Sequence, residues 1–87
     1  MFRLEILPQV RDVIRTYPPV LKREMRHAFD KIRLNPRIGE PLRWKLKGFY
    51  KYRIHKYRII YEIVSDDRLI RIRATGQRRD IYESFNP

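Results

Sequence analysis

Eighty-seven residues, 43% of them hydrophobic, suffice for one modest core and leave nothing for a second, so residues 1–87 are expected to form a single domain. Lys and Arg number 21 against 10 Asp and Glu, and the self-repulsion of that +11 excess points to an anionic partner, with nucleic acid ahead of an acidic protein or an anionic membrane. The lack of Cys excludes disulfides, thiolate catalysis and Cys-ligated metal; no apolar run approaches membrane length and the first ten residues do not read as a signal peptide, so the cytoplasm is the expected compartment.

Residues 2–7 (FRLEIL) alternate apolar and polar and predict a short strand. Pro8 suits a first helical turn, and Val10, Val13, Ile14 and Tyr17 keep helical spacing behind it. Pro18-Pro19 ends that helix and opens a second, whose Leu21, Met25, Ala28, Phe29 and Ile32 share one face until Asn35-Pro36 stops it. Residues 37–47, broken by Gly39 and Pro41, read as a loop. Three strands follow at 49–54, 57–64 and 68–75, joined by two-residue turns at His55-Lys56 and Asp66-Asp67. Gly76 is expected to end the last strand, and residues 78–85 to form a short closing helix. The order βααβββα is an α+β layer, a helix hairpin on one face of a mainly antiparallel four-stranded sheet; where residues 2–7 join that sheet is open.

The two turns set registers. Arg53 opposes Arg58, Lys51 opposes Ile60, Glu62 opposes Arg71, and Ile60 opposes Arg73. One face then holds Tyr50, Tyr52, Ile54, Tyr57, Ile59, Tyr61, Ile63, Ile70, Ile72 and Ala74, ready for the helices. The other holds Lys51, Arg53, Arg58, Arg71 and Arg73 around Glu62. Glu62 opposite Arg71 is an ordinary cross-strand ion pair. Arg53 opposite Arg58 destabilises the sheet unless both side chains splay into water, and a site for anions explains the pair better. Arg43, Lys45, Lys47 and Lys56 extend the patch without an acidic residue among them, so RNA contacts are expected from these four and from Arg71 and Arg73. Trp44, Phe49 and Tyr50 are interleaved. Bases of a single strand stack on such rings, but Trp44 and Tyr50 are each read as core or core-edge residues.

The residues offer no metal-ligand spacing, no Gly-rich phosphate loop and no Ser-His-Asp pattern. His27 reads as a surface or boundary residue of the second helix. His55 reads as a turn residue, with an acid–base role second. One reaction needs none of those devices and no cofactor: attack of an RNA 2′-hydroxyl on its adjacent phosphate, where Arg and Lys stabilise the transition state. Arg78 and Tyr82, four residues apart, would share one face of the closing helix.

Asn35-Pro36-Arg37-Ile38-Gly39, the stretch 46–48, the run YKYRIHKYRIIYEI over 50–63 and TGQRRDIY over 75–82 together resemble the RelE/ParE superfamily of toxins, across nearly the whole chain and in the same βααβββα order. The resemblance implies a type II toxin–antitoxin system, a cognate antitoxin partner, and, for RelE-like members, an endoribonuclease that cleaves mRNA in the ribosomal A site. It implies catalytic roles for Lys51, Arg53, Arg58, Arg78 and Tyr82. The family's second sheet lysine is Arg53 here, which clamps phosphate but is a poor base, leaving proton abstraction to Lys51 or Tyr82. Gln77 stands where many relatives carry His. ParE-like members instead poison DNA gyrase without cleaving RNA, and a catalytically inactive RNA-binding relative is the third reading. An antitoxin would dock on the outer side of the helix hairpin or over the basic groove.

Overall fold

Proline starts both helices. The computed structural model describes residues 2–64, 68–77 and 81. In it, α1 spans Pro8–Arg15 and α2 spans Pro19–Leu34. Each follows a residue in extended conformation, and neither has a side-chain cap. A proline at the first helical turn has no N–H to leave unsatisfied, so the missing cap costs less. Arg15 lies in the last turn of α1, and Lys31 and Arg33 in the last turn of α2, complementing the negative end of each helix. Asn35 leaves helical geometry at φ −142°, as a residue before Pro36 must.

The strands are β1 (Arg3–Ile6), β2 (Glu40–Pro41), β3 (Phe49–Ile54), β4 (Tyr57–Val64) and β5 (Leu69–Gln77). They form one mixed sheet in the order β1-β5-β4-β3-β2, with β1 parallel to β5 and the other pairs antiparallel. The sheet has five strands rather than the expected four. The additional one is β2, which the loop over 37–47 contributes by pairing Glu40 with Lys51 and Pro41 with Tyr50. The last strand also runs past its expected end, since Gly76 pairs with Arg58 and Gln77 with Tyr57. The Asp66-Asp67 turn lies outside the described residues, as does the closing helix expected over 78–85 except for Ile81. No helix among the described residues is long and apolar enough to cross a membrane.

The first hairpin has the expected register, Ile54 opposite Tyr57 and Arg53 opposite Arg58. His55 takes the positive φ, 51°, that a tight hairpin turn requires and that glycine usually supplies. Its Nε2 lies 2.7 Å from Glu24 Oε2, tying the turn to α2.

The second register is as expected only as far as Tyr61. A bulge then inserts Arg73, so that Ile60 faces Ala74 instead of Arg73. The faces change accordingly. Ala74, assigned by alternation to the helix-covered face, lies on the opposite one in a small second cluster with Ile60 and Ile81, covered by Leu42, Leu46 and Phe49. Thr75 turns toward the helices instead, its hydroxyl 3.8 Å from Met25 Sδ and 3.5 Å from the Tyr17 hydroxyl. The main core otherwise holds the expected residues, with Val10, Met25, Phe29 and Ile32 of the helices over Ile59, Tyr61, Ile70 and Ile72 of the sheet.

Tyr61 fastens the segment after α2 to the sheet. Its side chain is fully buried; its hydroxyl donates to Pro36 O at 2.7 Å and accepts from Gly39 N at 3.0 Å. Gly39 is required there, because a Cβ would sit 2.5 Å from that hydroxyl and 2.8 Å from Lys51 O. Burial pushes the Tyr61 pKa up to about 12, against the hydrogen bond from Gly39, which lowers it.

Tyr61→Phe leaves the Gly39 N–H without its acceptor and is expected to cost ~1–3 kcal/mol in urea unfolding. The folded protein holds the phenol proton more tightly than the unfolded chain. The stability Tyr61 contributes is therefore complete below pH ~10 and lost as pH rises through about 12. The gap between wild type and Tyr61→Phe should narrow over that window; a gap independent of pH would contradict a buried, proton-holding phenol.

Candidate nucleic-acid interface

The Tyr61 clamp places Ile38, Gly39 and Glu40 along the edge of β3. Between them and the β3–β4 hairpin lies an open cleft of ≈ 390 Å³, lined by Ile38, Gly39, Glu40, Lys51, Tyr52, Arg53 and Arg58. Three of the five residues expected to act on RNA therefore share one cleft. Lys51 Nζ lies 3.7 Å from Glu40 Oε2, a loose pair with a mostly exposed carboxylate. Arg53 is exposed. Arg58, directly opposite on β4, is only 8% exposed, and its Nε has no hydrogen-bond partner among the described residues. Arg78 and Tyr82 lie outside the described residues.

Arg58 is the unusual member. Removing a guanidinium from water costs several kcal/mol unless a carboxylate or carbonyl takes its donors. Its opposite residue is another arginine, which adds repulsion. Among the described residues no carboxylate pairs with Arg58, an arrangement that a bound anion would compensate. A fork of guanidinium donors beside Lys51 fits phosphate oxygens, and partial burial strengthens each charge.

A second hollow of ≈ 280 Å³ adjoins the first through Tyr52 and Arg53, and is bordered by His55 and by Glu24, His27 and Lys31 of α2. His27 and His55, read from the sequence as a surface and a turn residue, thus border the same hollow. Sequence reasoning gave Glu40, Gly39 and Lys31 no role in the site, naming Gly39 only as a loop breaker and as part of the family motif. No local signal marks Glu40, because its place follows from the pairing of a two-residue strand.

The remaining basic residues divide into two groups. Arg43, Lys45 and Lys47 are exposed around a short 3-10 turn, Trp44–Leu46, and Lys56 is exposed at the hairpin tip. Arg71 and Arg73, expected among the RNA contacts, are engaged elsewhere. Arg71 bonds Glu5 at 2.6 Å and Glu62 at 3.1 Å, Arg73 bonds Glu62 at 2.9 Å, and the Arg73 guanidinium lies 5.4 Å from the Phe49 ring centre. Hydrogen bonds from Arg71 to Glu5 first and Glu62 second raise its pKa further. Arg71 faces Glu62 in the expected register, and the bulge brings Arg73 to the same carboxylate. These two arginines hold the sheet together and leave the candidate set. Tyr50 is at the core edge as expected, its ring stacked on Tyr61 at 5.5 Å. Trp44 is not, being 91% exposed.

Arg58→Met keeps the apolar stem and removes the buried charge, so it should raise stability in urea unfolding by ~1 kcal/mol. A loss of stability would mean that the guanidinium is compensated in the free protein.

Residues 6–82 match the family model described as the ParE toxin of type II toxin–antitoxin systems. The chain is 31% identical over 87 residues to the putative toxin RelE1 of Methanocaldococcus jannaschii, covering 95% of this chain and 97% of that protein. It is 33% identical over 73 residues to the toxin RelG of Mycobacterium tuberculosis, covering 83% and 84%. Its fold superposes with a TM-score of 0.76 on a chain of the toxin–antitoxin complex RelBE2 of Mycobacterium tuberculosis, at 26% identity over 88% of this chain and 98% of the other. Matched over nearly its full length by family model, sequence and fold, the chain belongs to the RelE/ParE superfamily and is a toxin of a type II toxin–antitoxin system.

Proposed function

We propose that this toxin is a metal-independent endoribonuclease that cleaves mRNA in the ribosomal A site, working in the cleft of Lys51, Arg53 and Arg58. The observation that carries the reading is the buried Arg58, opposed by Arg53 and without a partner for its Nε among the described residues. A phosphodiester would supply the counter-charge that the described residues do not give it. The relatives named RelE1 and RelG favour the RelE-like branch.

In the proposed reaction the 2′-oxygen of one nucleotide bonds to the adjacent phosphorus while the bond to the 5′-oxygen of the next nucleotide breaks. The products are a 2′,3′-cyclic phosphate and a free 5′-hydroxyl. One proton leaves the 2′-hydroxyl and one is delivered to the departing 5′-oxygen. Arg53 and Arg58 stabilise the extra negative charge on the pentacoordinate phosphorus. Lys51, or Tyr82 from the C-terminal segment, takes the first proton, and Arg78 assists the leaving group.

The partner proposed to restrain it is an acidic antitoxin, by analogy with the RelBE2 complex. A groove of ≈ 360 Å³ between β1 and the two helices suits it, with Ile14, Met25 and Phe29 as floor and Arg11, Lys22 and Arg26 at the rim.

Induced expression with primer extension on cellular mRNA tests the nuclease. Wild type should create new 5′ ends inside translated codons. Arg58→Met and Arg78→Ala should each reduce that cleavage about 100-fold or more. Growth arrest with intact mRNA would instead assign the chain to the gyrase-poisoning branch, and no arrest would indicate an inactive relative.

A further inference from the structure

The largest exposed apolar side chain belongs to Trp44, the chain's single tryptophan, which is 91% exposed with φ at +60°. A bulky side chain in the left-handed region is strained, and such strain concentrates where a side chain must be displayed. Packing does not explain this placement, because the residues on either side do the anchoring. Leu42 and Leu46 pack on Ile60, Ala74 and Ile81, and Leu42 N donates to Phe49 O at 2.8 Å. The backbone then closes a 3-10 turn, with Lys47 N donating to Trp44 O at 3.1 Å. The loop holds the indole outward from a fixed base.

Its surroundings are cationic. Arg43, Lys45 and Lys47 are exposed, none is ion-paired among the described residues, and no acidic residue occurs from Pro41 to Tyr61. The anchor residue Ile60 lies two positions from Arg58 on β4 and faces the same side of the sheet, about 7 Å along the strand. The loop that carries the ring is therefore anchored on the side of the sheet that Arg58 shares. An aromatic platform among cations matches a single strand whose phosphates meet Lys and Arg while a base stacks on the ring.

We propose that Trp44 is a stacking platform for one unpaired base of the RNA strand held in the Lys51–Arg58 cleft. The inference rests on the RNA-binding reading of that cleft. It assigns Trp44 to substrate positioning and gives no part in the proton transfers to it.

The single tryptophan makes the test direct. A short 2′-O-methyl oligoribonucleotide, which cannot be cleaved, is titrated into the protein at low salt while indole fluorescence is followed. Quenching on binding is expected. By anisotropy of the labelled oligonucleotide, Trp44→Ala should bind about 10-fold more weakly, within a range of roughly 5- to 100-fold, and Trp44→Phe should recover most of the loss. Trp44→Gly should lose the same affinity while melting at an equal or higher temperature, because it relieves the positive φ. Binding that depends on Arg58 but leaves the indole unquenched and Trp44→Ala unaffected would overturn this inference alone. An oligonucleotide that wild type does not bind would overturn it together with the RNA reading. A Trp44→Ala variant that keeps RNA affinity but loses antitoxin affinity would make the ring a protein anchor and overturn it as well.

Discussion

The hydroxyl of Tyr61 is the contact on which the candidate cleft depends. It bonds both Pro36 O and Gly39 N, and so fixes the chain leaving α2 against the middle of the sheet. The pairing of β2 with β3 follows from that attachment, and β2 brings Glu40 opposite Lys51. The lack of a Cβ at Gly39 lets two backbones and a phenol meet at one point. A buried hydroxyl satisfied on both sides stabilises this arrangement, and each partner loses more by its removal than the bonds contribute net.

β4 carries the fold and the site together. Ile59 and Tyr61 face the helices, Ile60 faces the small second cluster, and all three are fully buried. Arg58 precedes them on the same strand. A strand held on both faces is a rigid base for the Arg58 guanidinium, to which the proposed function gives the phosphate contact. The bulge at Arg73 serves the same division. It brings Arg73 to the carboxylate that Arg71 already faces, so that both pair with Glu62, while Arg53 and Arg58 form no ion pair among the described residues. Net charge alone does not distinguish these two pairs of arginines; the register does.

Two residues with positive φ, Trp44 and His55, fall where a side chain is displayed or tied. Trp44 turns its ring outward, and His55 closes the hairpin that carries Arg53 and Arg58 while reaching Glu24. Turns at such positions favour glycine, so keeping Trp and His there gives up some stability for a side chain that glycine lacks.

Much of this protein was legible from the sequence. Helical spacing from Pro8 to Leu34 and alternation from Phe49 to Val64 specify the elements, because one-sided burial leaves a period that residues carry individually. The opposition of Arg53 and Arg58 followed from a two-residue turn, since turn length fixes register. Three features were decided by tertiary structure. The bulge moved Ala74 to the other face and turned Thr75 inward, and its cost and benefit depend on Met25, Tyr17 and Glu62, which are distant in sequence. The strand Glu40–Pro41 is too short to have a period, and exists because Tyr61 holds the segment beside β3. Burial of Arg58 and exposure of Trp44 reverse what their residue types favour, since burial belongs to the packed neighbourhood and residue type sets only its usual cost.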